Sequence, residues 1–276
     1  MSCYAGFSLY ELSKGIHEFG SLSLIIRPPI YIPRIETEQW VLLLAESISS
    51  NLPSTRQTIR ILDICSGSGC IPLLLAHQGG GRIQTVGLEV DDQALALARE
   101  NAVHNKIDHL STFEKFDLFE DDVHTLRERI GGFDMIISNP PYVSSEDMRK
   151  IKGTWWEGRY ALQGKLKGRN GENAAINDAS GAVHDEDEED DGLSAFRRIL
   201  EIYPTFLSTS RPDTIPKLVL EVGAKQSPPV KAMFASEGRF NVTKETPRRK
   251  SLSTPKLEKG DMIGTERSLW IYEAKE

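Results

Sequence analysis

The sequence predicts an α/β protein with a doubly wound, mostly parallel sheet of seven strands. Three observations carry this prediction. From about residue 59 onward, short apolar runs alternate with helical stretches, a pattern typical of a parallel sheet covered by helices on both faces. A glycine-rich loop follows the first of these runs, and polar residues follow several others. Because such sheets bind ligands beyond the carboxyl ends of their strands, these residues predict a site there.

The predicted elements follow one another in a regular order. An N-terminal arm, residues 1–33, is expected to form a small hairpin from residues 22–27 and 30–32, joined across a pair of prolines. A helix follows through about residue 48, with apolar side chains on one face. Residues 34–276 are then expected to form one domain.

The strands and helices of this domain alternate. Strands are predicted at residues 59–64, 85–89, 110–116, 133–138, 218–222, 240–245 and 269–273. Helices are predicted after the glycine loop to about residue 77, and at residues 91–105, 193–206 and 229–236.

Two stretches interrupt this rhythm. Residues 164–192 are rich in Gly, Asn, Ala and acids, with seven consecutive acids at 185–191, and are predicted to form a disordered insertion. Residues 246–264 form a basic loop rich in Ser, Thr and Pro. Without the seven consecutive acids, the 40 acidic residues fall to 33 and equal the 33 Lys and Arg residues. The body of the chain is therefore neutral and lacks the basic surface typical of nucleic-acid binding.

Other classes of site receive no support from the sequence. The cysteines Cys3, Cys65 and Cys70 have neither zinc-binding spacing nor the number needed for a disulfide framework. We therefore expect no metal. No apolar run reaches membrane-spanning length, so we expect no membrane partner. The first 20 residues do not resemble an Arg-rich transit peptide.

The most distinctive stretch is Asn139-Pro140-Pro141-Tyr142, at the end of a predicted strand. The two prolines end the strand, because neither can donate to a sheet ladder, and each restricts the residue before it to extended geometry. Asn139 is therefore expected at the carboxyl end of a strand, where its side-chain oxygen and the carbonyl of Pro140 are two acceptors. The alternative is a plain proline turn.

A second motif lies between the first strand and the first helix of the domain. The small residues of Gly67-Ser68-Gly69 let backbone N–H groups approach a ligand, and Glu89 comes 20 residues later, where an acid accepts hydrogen bonds from ribose hydroxyls. The third glycine of a dinucleotide-binding loop would fall at Pro72, which argues against NAD. Glu89 could instead be a helix-capping acid.

Together these motifs resemble a known class of enzymes. The stretch from Asp63 to Gly69, Glu89 and the Asn-Pro-Pro-Tyr motif look like those of class I S-adenosylmethionine-dependent methyltransferases that act on planar amide or amino nitrogens. This resemblance implies a Rossmann-like methyltransferase sheet with S-adenosylmethionine as its cofactor.

Within that class, the hexapeptide Pro33-Arg34-Ile35-Glu36-Thr37-Glu38 resembles the Pro-Arg-x-Glu-Thr-Glu signature of the HemK/PrmC family. Residues 156–162 resemble its Tyr-Glu-Pro-x-x-Ala-Leu motif, residues 191–193 its Asp-Gly-Leu and residues 218–223 its Leu-Glu-Ile-Gly strand. The chain departs from the family at Gly158, which replaces a proline, and in its insertion. Only some 30 residues precede the signature, so the arm is expected to be the remnant of a linker to a missing helical docking domain.

The resemblance implies methylation of the glutamine amide in the Gly-Gly-Gln motif of a peptide-chain release factor, and it assigns roles to residues. Catalysis and substrate binding are assigned to Asn139, Pro140 and Tyr142, with Pro141 and Arg34 as further substrate contacts. Cofactor binding is assigned to Asp63, Cys65, Ser66, Gly67, Ser68, Gly69, Glu89, Asp117, Leu118 and Asn139.

The organellar branch of this family implies a mitochondrial release factor as partner and a mitochondrial location, with a cytoplasmic location as the alternative. Two rival functions stay open. One is methylation of adenine N6 or guanine N2 in DNA or RNA, for which the neutral body makes nucleic acid an unfavoured partner. The other is a non-catalytic partner subunit with the methyltransferase fold.

Overall fold

The computed structural model describes residues 14–52, 58–150, 157–163, 190–223, 225–235, 240–243 and 267–273. These residues form a central sheet covered by helices on both faces, with a small hairpin at the N-terminal side. The predicted insertion up to residue 189 and the basic loop lie outside the described residues.

The central sheet has seven strands, which are β3 (Ile59–Ile64), β4 (Ile83–Glu89), β5 (Ser111–Lys115), β6 (Met135–Ser138), β7 (Leu218–Glu221), β8 (Phe240–Thr243) and β9 (Ser268–Glu273). Their order in the sheet is β5-β4-β3-β6-β7-β9-β8. The five strands from β5 to β7 in this order are parallel, and β9 and β8 join antiparallel at one edge. The doubly wound, mostly parallel, seven-stranded sheet predicted from the sequence is therefore confirmed.

Eight helices lie within the described residues. They are α1 (Ile35–Asn51), α2 (Cys70–Gln78), α3 (Asp92–His104), α4 (Val123–Ile130), α5 (Ser145–Lys150), α6 (Arg159–Leu162), α7 (Ser194–Phe206) and α8 (Ser227–Ala235). Helices α4, α5 and α6 were not predicted, because they are only four to eight residues long and too short for a clear helical period.

Alternation of side chains along the strands separates two hydrophobic cores. On β6, Met135 and Ile137 pack with α1, α2 and α3, whereas Ile136 packs with α4, α7 and α8 on the other face. All three side chains are fully buried. A strand buried on both faces has no polar face, which explains why the sequence shows short continuous apolar runs. No helix among the described residues is long and apolar enough to cross a membrane.

The N-terminal hairpin differs from the prediction. It pairs β1 (Ile16–Phe19) with β2 (Leu22–Ile25), and residues 30–32 form no strand. The turn contains Gly20 in the left-handed region, with φ of +59°. A glycine adopts this conformation without the penalty of a Cβ atom, so the turn of the hairpin forms here. The prolines form a separate turn, in which the Ile30 N–H donates to the Arg27 carbonyl (3.0 Å), and no strand follows it.

The end of the predicted insertion is ordered, which corrects its boundary at residue 192. Asp190 is buried, and its carboxylate accepts hydrogen bonds from the Gly192 N–H (3.0 Å) and the Ser194 hydroxyl (2.9 Å). Asp191 pairs with Arg197 on the surface. The repulsion expected within the acidic run is thus offset for these two acids by donors at the start of α7.

Candidate functional site

The carboxyl ends of the central strands bring the predicted residues to one edge of the sheet. Ile64 is in register with Leu88 on one side and with Ser138 on the other, so β3, β4 and β6 end together. The hydroxyl of Ser138 also donates to the carbonyl of Ile64 (2.5 Å). The glycine loop follows β3, Asn139 follows β6, and Glu89 is the last residue of β4, so all three lie at strand carboxyl ends, as the sequence predicts.

The glycine loop has a backbone that ordinary residues rarely adopt. Cys65, Gly67 and Gly69 all have positive φ, at 64°, 56° and 81°. A Cβ atom on Gly69 would lie 2.9 Å from the ring of Phe113, so this glycine permits close packing of the loop on the sheet. A Cβ atom on Gly67 would meet nothing within 4 Å, so the loop faces open space there. The loop can therefore approach a ligand at Gly67.

Glu89 holds this loop. Its carboxylate accepts hydrogen bonds from the backbone N–H groups of Gly67 (2.8 Å), Val90 (2.8 Å) and Asp91 (3.0 Å). Burial raises the pKa of Glu89, and the hydrogen bonds from these N–H groups act in the opposite direction. The cap of α3 is Asp91, whose side chain accepts from Gln93 and Ala94. Glu89 is thus not the helix cap, and the alternative interpretation of this residue as the capping acid is wrong.

Asp63 and Ser66 supply buried polar atoms without partners. Both carboxyl oxygens of Asp63 and the hydroxyl of Ser66 are buried and make no hydrogen bond with any described residue. Burial raises the pKa of Asp63 well above its usual range, and the charge of Glu89 raises it further. Buried polar groups are normally paired, so unpaired ones beside an open loop fit a ligand with polar groups of its own. Ser68 lies in the same loop and is also buried.

The Asn-Pro-Pro-Tyr loop presents an amide that the other described residues do not use. Among the described residues, no hydrogen bond is made by the side chain of Asn139, which is half-buried. Pro140 is buried, whereas Pro141 and Tyr142 are half-buried. The Asn139 amide is thus positioned by the backbone alone and keeps its donors and acceptor for a ligand.

Contacts on the far side of this loop fix its position. The Gln226 side chain donates to the carbonyls of Tyr142 (2.7 Å) and Gly192 (3.1 Å) and accepts from the Gly223 N–H (3.1 Å). A Cβ atom on Gly192, whose φ is +77°, would lie 2.4 Å from the carbonyl oxygen of Tyr142. The motifs at residues 191–193 and 218–223 therefore serve to hold the Asn-Pro-Pro-Tyr loop. Gln226 was not predicted as a site residue.

Arg34 of the signature lies close to this region and has a protein partner. Its guanidinium pairs with Glu157 at 2.6 Å and stacks over the ring of Tyr31, with 5.0 Å to the centroid. The other oxygen of the Glu157 carboxylate accepts from the Ile32 N–H (2.9 Å). Arg34 thus joins the signature to the motif at residues 156–162, and its predicted contact with substrate stays a prediction.

Thr37 of the signature is joined to a third motif. The Thr37 hydroxyl (2.7 Å) and the Trp40 indole N–H (2.8 Å) both donate to one oxygen of Glu221, at the end of β7. Burial raises the pKa of this carboxyl, and its two donors oppose that shift. The other oxygen of Glu221 lies 3.7 Å from the guanidinium of Arg267, which in turn lies 3.4 Å from the hydroxyl of Tyr142.

Glu221 and Arg267 are site residues that the sequence reasoning missed. An acid at the end of an apolar strand, as in Leu218-Val219-Leu220-Glu221, was the available signal, because Asp63 and Glu89 were recognised by the same feature. Arg267 gave no signal, since it precedes the predicted strand at residues 269–273 and no glycine motif or strand-end acid marks its position in the sequence.

Asp117 and Leu118, which are predicted to bind the cofactor, lie further along the same edge. Asp117 follows β5, and its carboxylate accepts from the Phe119 N–H (2.9 Å). Leu118 is 4% exposed and packs in the core between the sheet and α7, so little of its side chain is accessible to a ligand. Within the described residues, no cluster of three or more His, Cys, Asp or Glu side chains could hold a metal.

Comparisons with known proteins agree with this geometry. Residues 42–155 match the methyltransferase small domain family. The chain is 32% identical over 222 residues to a release factor glutamine methyltransferase of Streptococcus pneumoniae, covering 80% of this chain and 63% of that protein. It is 30% identical over 228 residues to the enzyme of the same name from Geobacter sulfurreducens, with coverage of 81% and 64%.

A yeast relative is also similar. The mitochondrial MRF1 N(5)-glutamine methyltransferase MTQ1 of Saccharomyces cerevisiae is 32% identical over 154 residues, which cover 54% of this chain and 48% of that protein. The chain thus spans between about half and two thirds of the length of these three relatives.

Solved structures share the fold. The human methyltransferase 10 domain containing protein has a TM-score of 0.53 at 18% identity, over 93% of this chain and 88% of that one. The N-terminal domain of human METTL16 has a TM-score of 0.54 at 19% identity, over 92% and 75%. The fold is therefore the Rossmann-like fold of class I methyltransferases.

Proposed function

We propose that this chain, a relative of the release factor glutamine methyltransferases of the HemK/PrmC family, transfers a methyl group from S-adenosylmethionine to the glutamine amide nitrogen of a release factor's Gly-Gly-Gln motif. The observation that carries this proposal is the amide of Asn139, which is unpaired among the described residues and follows Ser138, the register partner of Ile64 just before the glycine loop. A planar acceptor beside a nucleotide-type loop suits a planar amide substrate.

Asn139 and Pro140 orient the nucleophile in this proposal. The lone pair of an amide nitrogen is shared with its carbonyl, so the amide is a poor nucleophile in solution. The side-chain oxygen of Asn139 and the carbonyl of Pro140 accept hydrogen bonds from the two N–H groups of the substrate amide. These bonds fix the plane of the amide and support the positive charge that develops on its nitrogen. Orientation and electrostatic support of this kind need no general base.

The residues around the glycine loop fit the proposed cofactor. Open space at Gly67 admits a ligand to the loop backbone, and the unpaired Asp63 carboxyl and Ser66 hydroxyl offer polar contacts for the charged methionine end. Glu89 has one oxygen bonded to Gly67 and keeps lone pairs for ribose hydroxyls. S-adenosylmethionine supplies an electrophilic methyl group on a sulfonium.

A release factor is the proposed partner, because all the relatives described above carry names that refer to methylation of release factors or glutamine. A mitochondrial release factor, and with it a mitochondrial location, is supported by the yeast relative alone. The bacterial relatives favour neither a mitochondrial nor a cytoplasmic location for this chain.

Replacing Asn139 tests the proposal. We expect Asn139→Ala to lower the rate of methyl transfer about 10²–10³-fold, in line with the loss of one preorganised polar contact to the reacting group. Cofactor affinity, measured by calorimetry, should stay within a few-fold of wild type. Asn51→Ala is the matched control, because Asn51 is exposed and bonds only within its own helix.

Three results would contradict the proposal. Single-turnover methylation near the wild-type rate by Asn139→Ala would remove the role of Asn139. Methylation of DNA or RNA without methylation of a release factor would favour the nucleic-acid rival, and binding of S-adenosylmethionine without any transfer would favour a non-catalytic subunit.

A further inference from the structure

Arg267 has hydrogen-bonding capacity that the described protein does not use. A guanidinium carries five N–H donors. Arg267 places one nitrogen 3.4 Å from the Tyr142 hydroxyl and 3.7 Å from Glu221, and its Nε is buried without a partner among the described residues. Both distances exceed the usual range for a strong charged hydrogen bond.

Other partly buried arginines of the chain behave differently. Arg60 donates to the carbonyls of Gly132 and Ile130 at 2.9 and 2.8 Å. Arg127 donates to a backbone carbonyl at 3.0 Å, and Arg211 to two at 3.2 and 2.8 Å. In these three arginines the guanidinium bonds backbone carbonyl oxygens at 2.8–3.2 Å, whereas no such bond is described for Arg267.

The position of Arg267 places it at the candidate site. It immediately precedes β9, and Ser268 is in register with Glu221, so the start of β9 lies at the carboxyl end of β7. The side chain is 26% exposed and faces Tyr142, three residues beyond Asn139. The glycine loop lies on the opposite side of β6, because β6 stands between β3 and β7 in the sheet.

Glu221 supplies the negative charge that stabilises the guanidinium of Arg267 at this position. Its carboxylate is fully buried and is fixed by Thr37 and Trp40 through one oxygen. The other oxygen faces Arg267 and supplies a counter-charge without a short hydrogen bond. The guanidinium is thus neutralised and oriented, while its donors stay available.

We propose that Arg267 binds the peptide substrate, its guanidinium donating to a backbone carbonyl oxygen of the segment that carries the target glutamine. This inference rests on the proposed function and adds a specificity-determining residue to it. Asn139 holds the reacting amide, and Arg267 holds the chain on the side of Asn139 away from the cofactor loop.

The test measures methylation of a bacterial release factor that bears the Gly-Gly-Gln motif. We expect Arg267→Gln to raise KM about 10–100-fold, the effect of losing a hydrogen bond from a charged donor. Cofactor affinity should stay within about twofold, and kcat should fall much less than KM rises. Arg267→Lys, which keeps the charge beside Glu221, should raise KM by at least about fivefold because it lacks the forked donors.

Arg60→Gln is the control for loss of a structural arginine. Arg60 lies at the amino end of β3, away from the site, so this variant should lower the melting temperature and leave KM unchanged.

If Arg267→Gln does not fold, Arg267→Lys decides the question. A KM within twofold of wild type for the folded Arg267 variants would overturn the assignment of Arg267 while leaving the proposed function intact. A wild-type chain that binds cofactor but does not methylate the release factor would contradict the proposed function and, with it, this inference.

Discussion

At the scale of single residues, the buried carboxyl of Asp63 is the clearest departure from ordinary packing. A buried acid without hydrogen bonds favours its neutral form, and the pKa of Asp63 is accordingly raised, first by burial and then by the charge of Glu89. Folding is therefore less favourable at any pH at which the Asp63 carboxyl is charged in the unfolded chain. The site retains this unfavourable group because, in our proposal, it serves the ligand.

The pH dependence of stability tests this interpretation of Asp63. A carboxyl whose pKa is higher in the folded than in the unfolded state gives most stability below the unfolded pKa, and that stability is lost as the pH rises towards the folded pKa. We expect Asp63→Asn to remove this loss, so that the ligand-free variant gains stability over wild type at pH 8 but not at pH 4. Chemical denaturation at both pH values measures the difference. An equal change in the free energy of unfolding at the two pH values would contradict the assignment.

Residue chemistry also shows what the sequence could predict of the site. Asn139, Glu89 and the glycines were predictable because a strand end, a proline pair or a glycine fixes the position of a neighbour within a few residues. Glu221 and Arg267 were not, since their roles depend on contacts with Thr37 and Tyr142 across more than 120 residues of sequence. A local sequence pattern does not predict contacts between residues so far apart in the chain.

At the scale of elements, the first turns of α1 are hydrogen-bonded to the carboxyl end of β7. Helix α1 begins at Ile35, and Thr37 and Trp40 both donate from it to Glu221 of β7. The acids Glu36 and Glu38 suit the N-terminal end of the helix. The signature hexapeptide is thus a junction between helix and strand, which its sequence alone did not reveal.

The hydroxyl of Thr37 allows a direct test of that junction. Thr37→Val keeps the shape of the fully buried side chain but leaves the Glu221 carboxylate with one donor fewer. We expect a loss of about 1–3 kcal/mol in the free energy of unfolding, the usual effect of a lost partner for a buried polar group. Urea denaturation measures it, with exposed Thr112→Val as the control, expected within about 0.5 kcal/mol of wild type. A change as small as the control's would mean that the bond contributes nothing.

At the scale of the whole molecule, one buried asparagine joins the N-terminal hairpin to the cofactor side of the site. Asn101 of α3 accepts from the Ile25 N–H (2.7 Å) and donates to the carbonyls of Ile25 (3.2 Å) and Ser68 (3.0 Å). Asn105, one helical turn later, bonds Ser23 of the same hairpin strand but not the glycine loop. The hairpin is therefore a support of the site, although it lies outside the sheet.

This pair of asparagines gives a matched experiment. We expect Asn101→Ala to destabilise the protein by about 3 kcal/mol, because several buried backbone groups lose a partner, and also to weaken binding of S-adenosylmethionine several-fold by releasing the glycine loop. Asn105→Ala should reduce stability but leave cofactor affinity near wild type. Calorimetric titration of the two variants measures the difference, and equal affinities would show that the hairpin and the loop are not coupled.

The doubly wound sheet was predictable at this scale because buried parallel strands and helices alternate visibly along the chain. The hairpin pairing was not, since β1 is only four residues long and half exposed, so its pattern is weak. The disorder predicted for the acidic insertion concerns, up to residue 189, residues outside the described ranges and stays a prediction.

The two links made by the signature hexapeptide have a consequence for inheritance. Arg34 is bound to Glu157 and Thr37 to Glu221, so these two residues of the signature depend on partners 123 and 184 positions away. A mutation of one partner leaves a buried charge or donor unpaired, which lowers stability until the other partner also changes. Drift at these positions should therefore favour paired replacements, and recombination between copies that have diverged at them should yield chains with mismatched partners and lower stability.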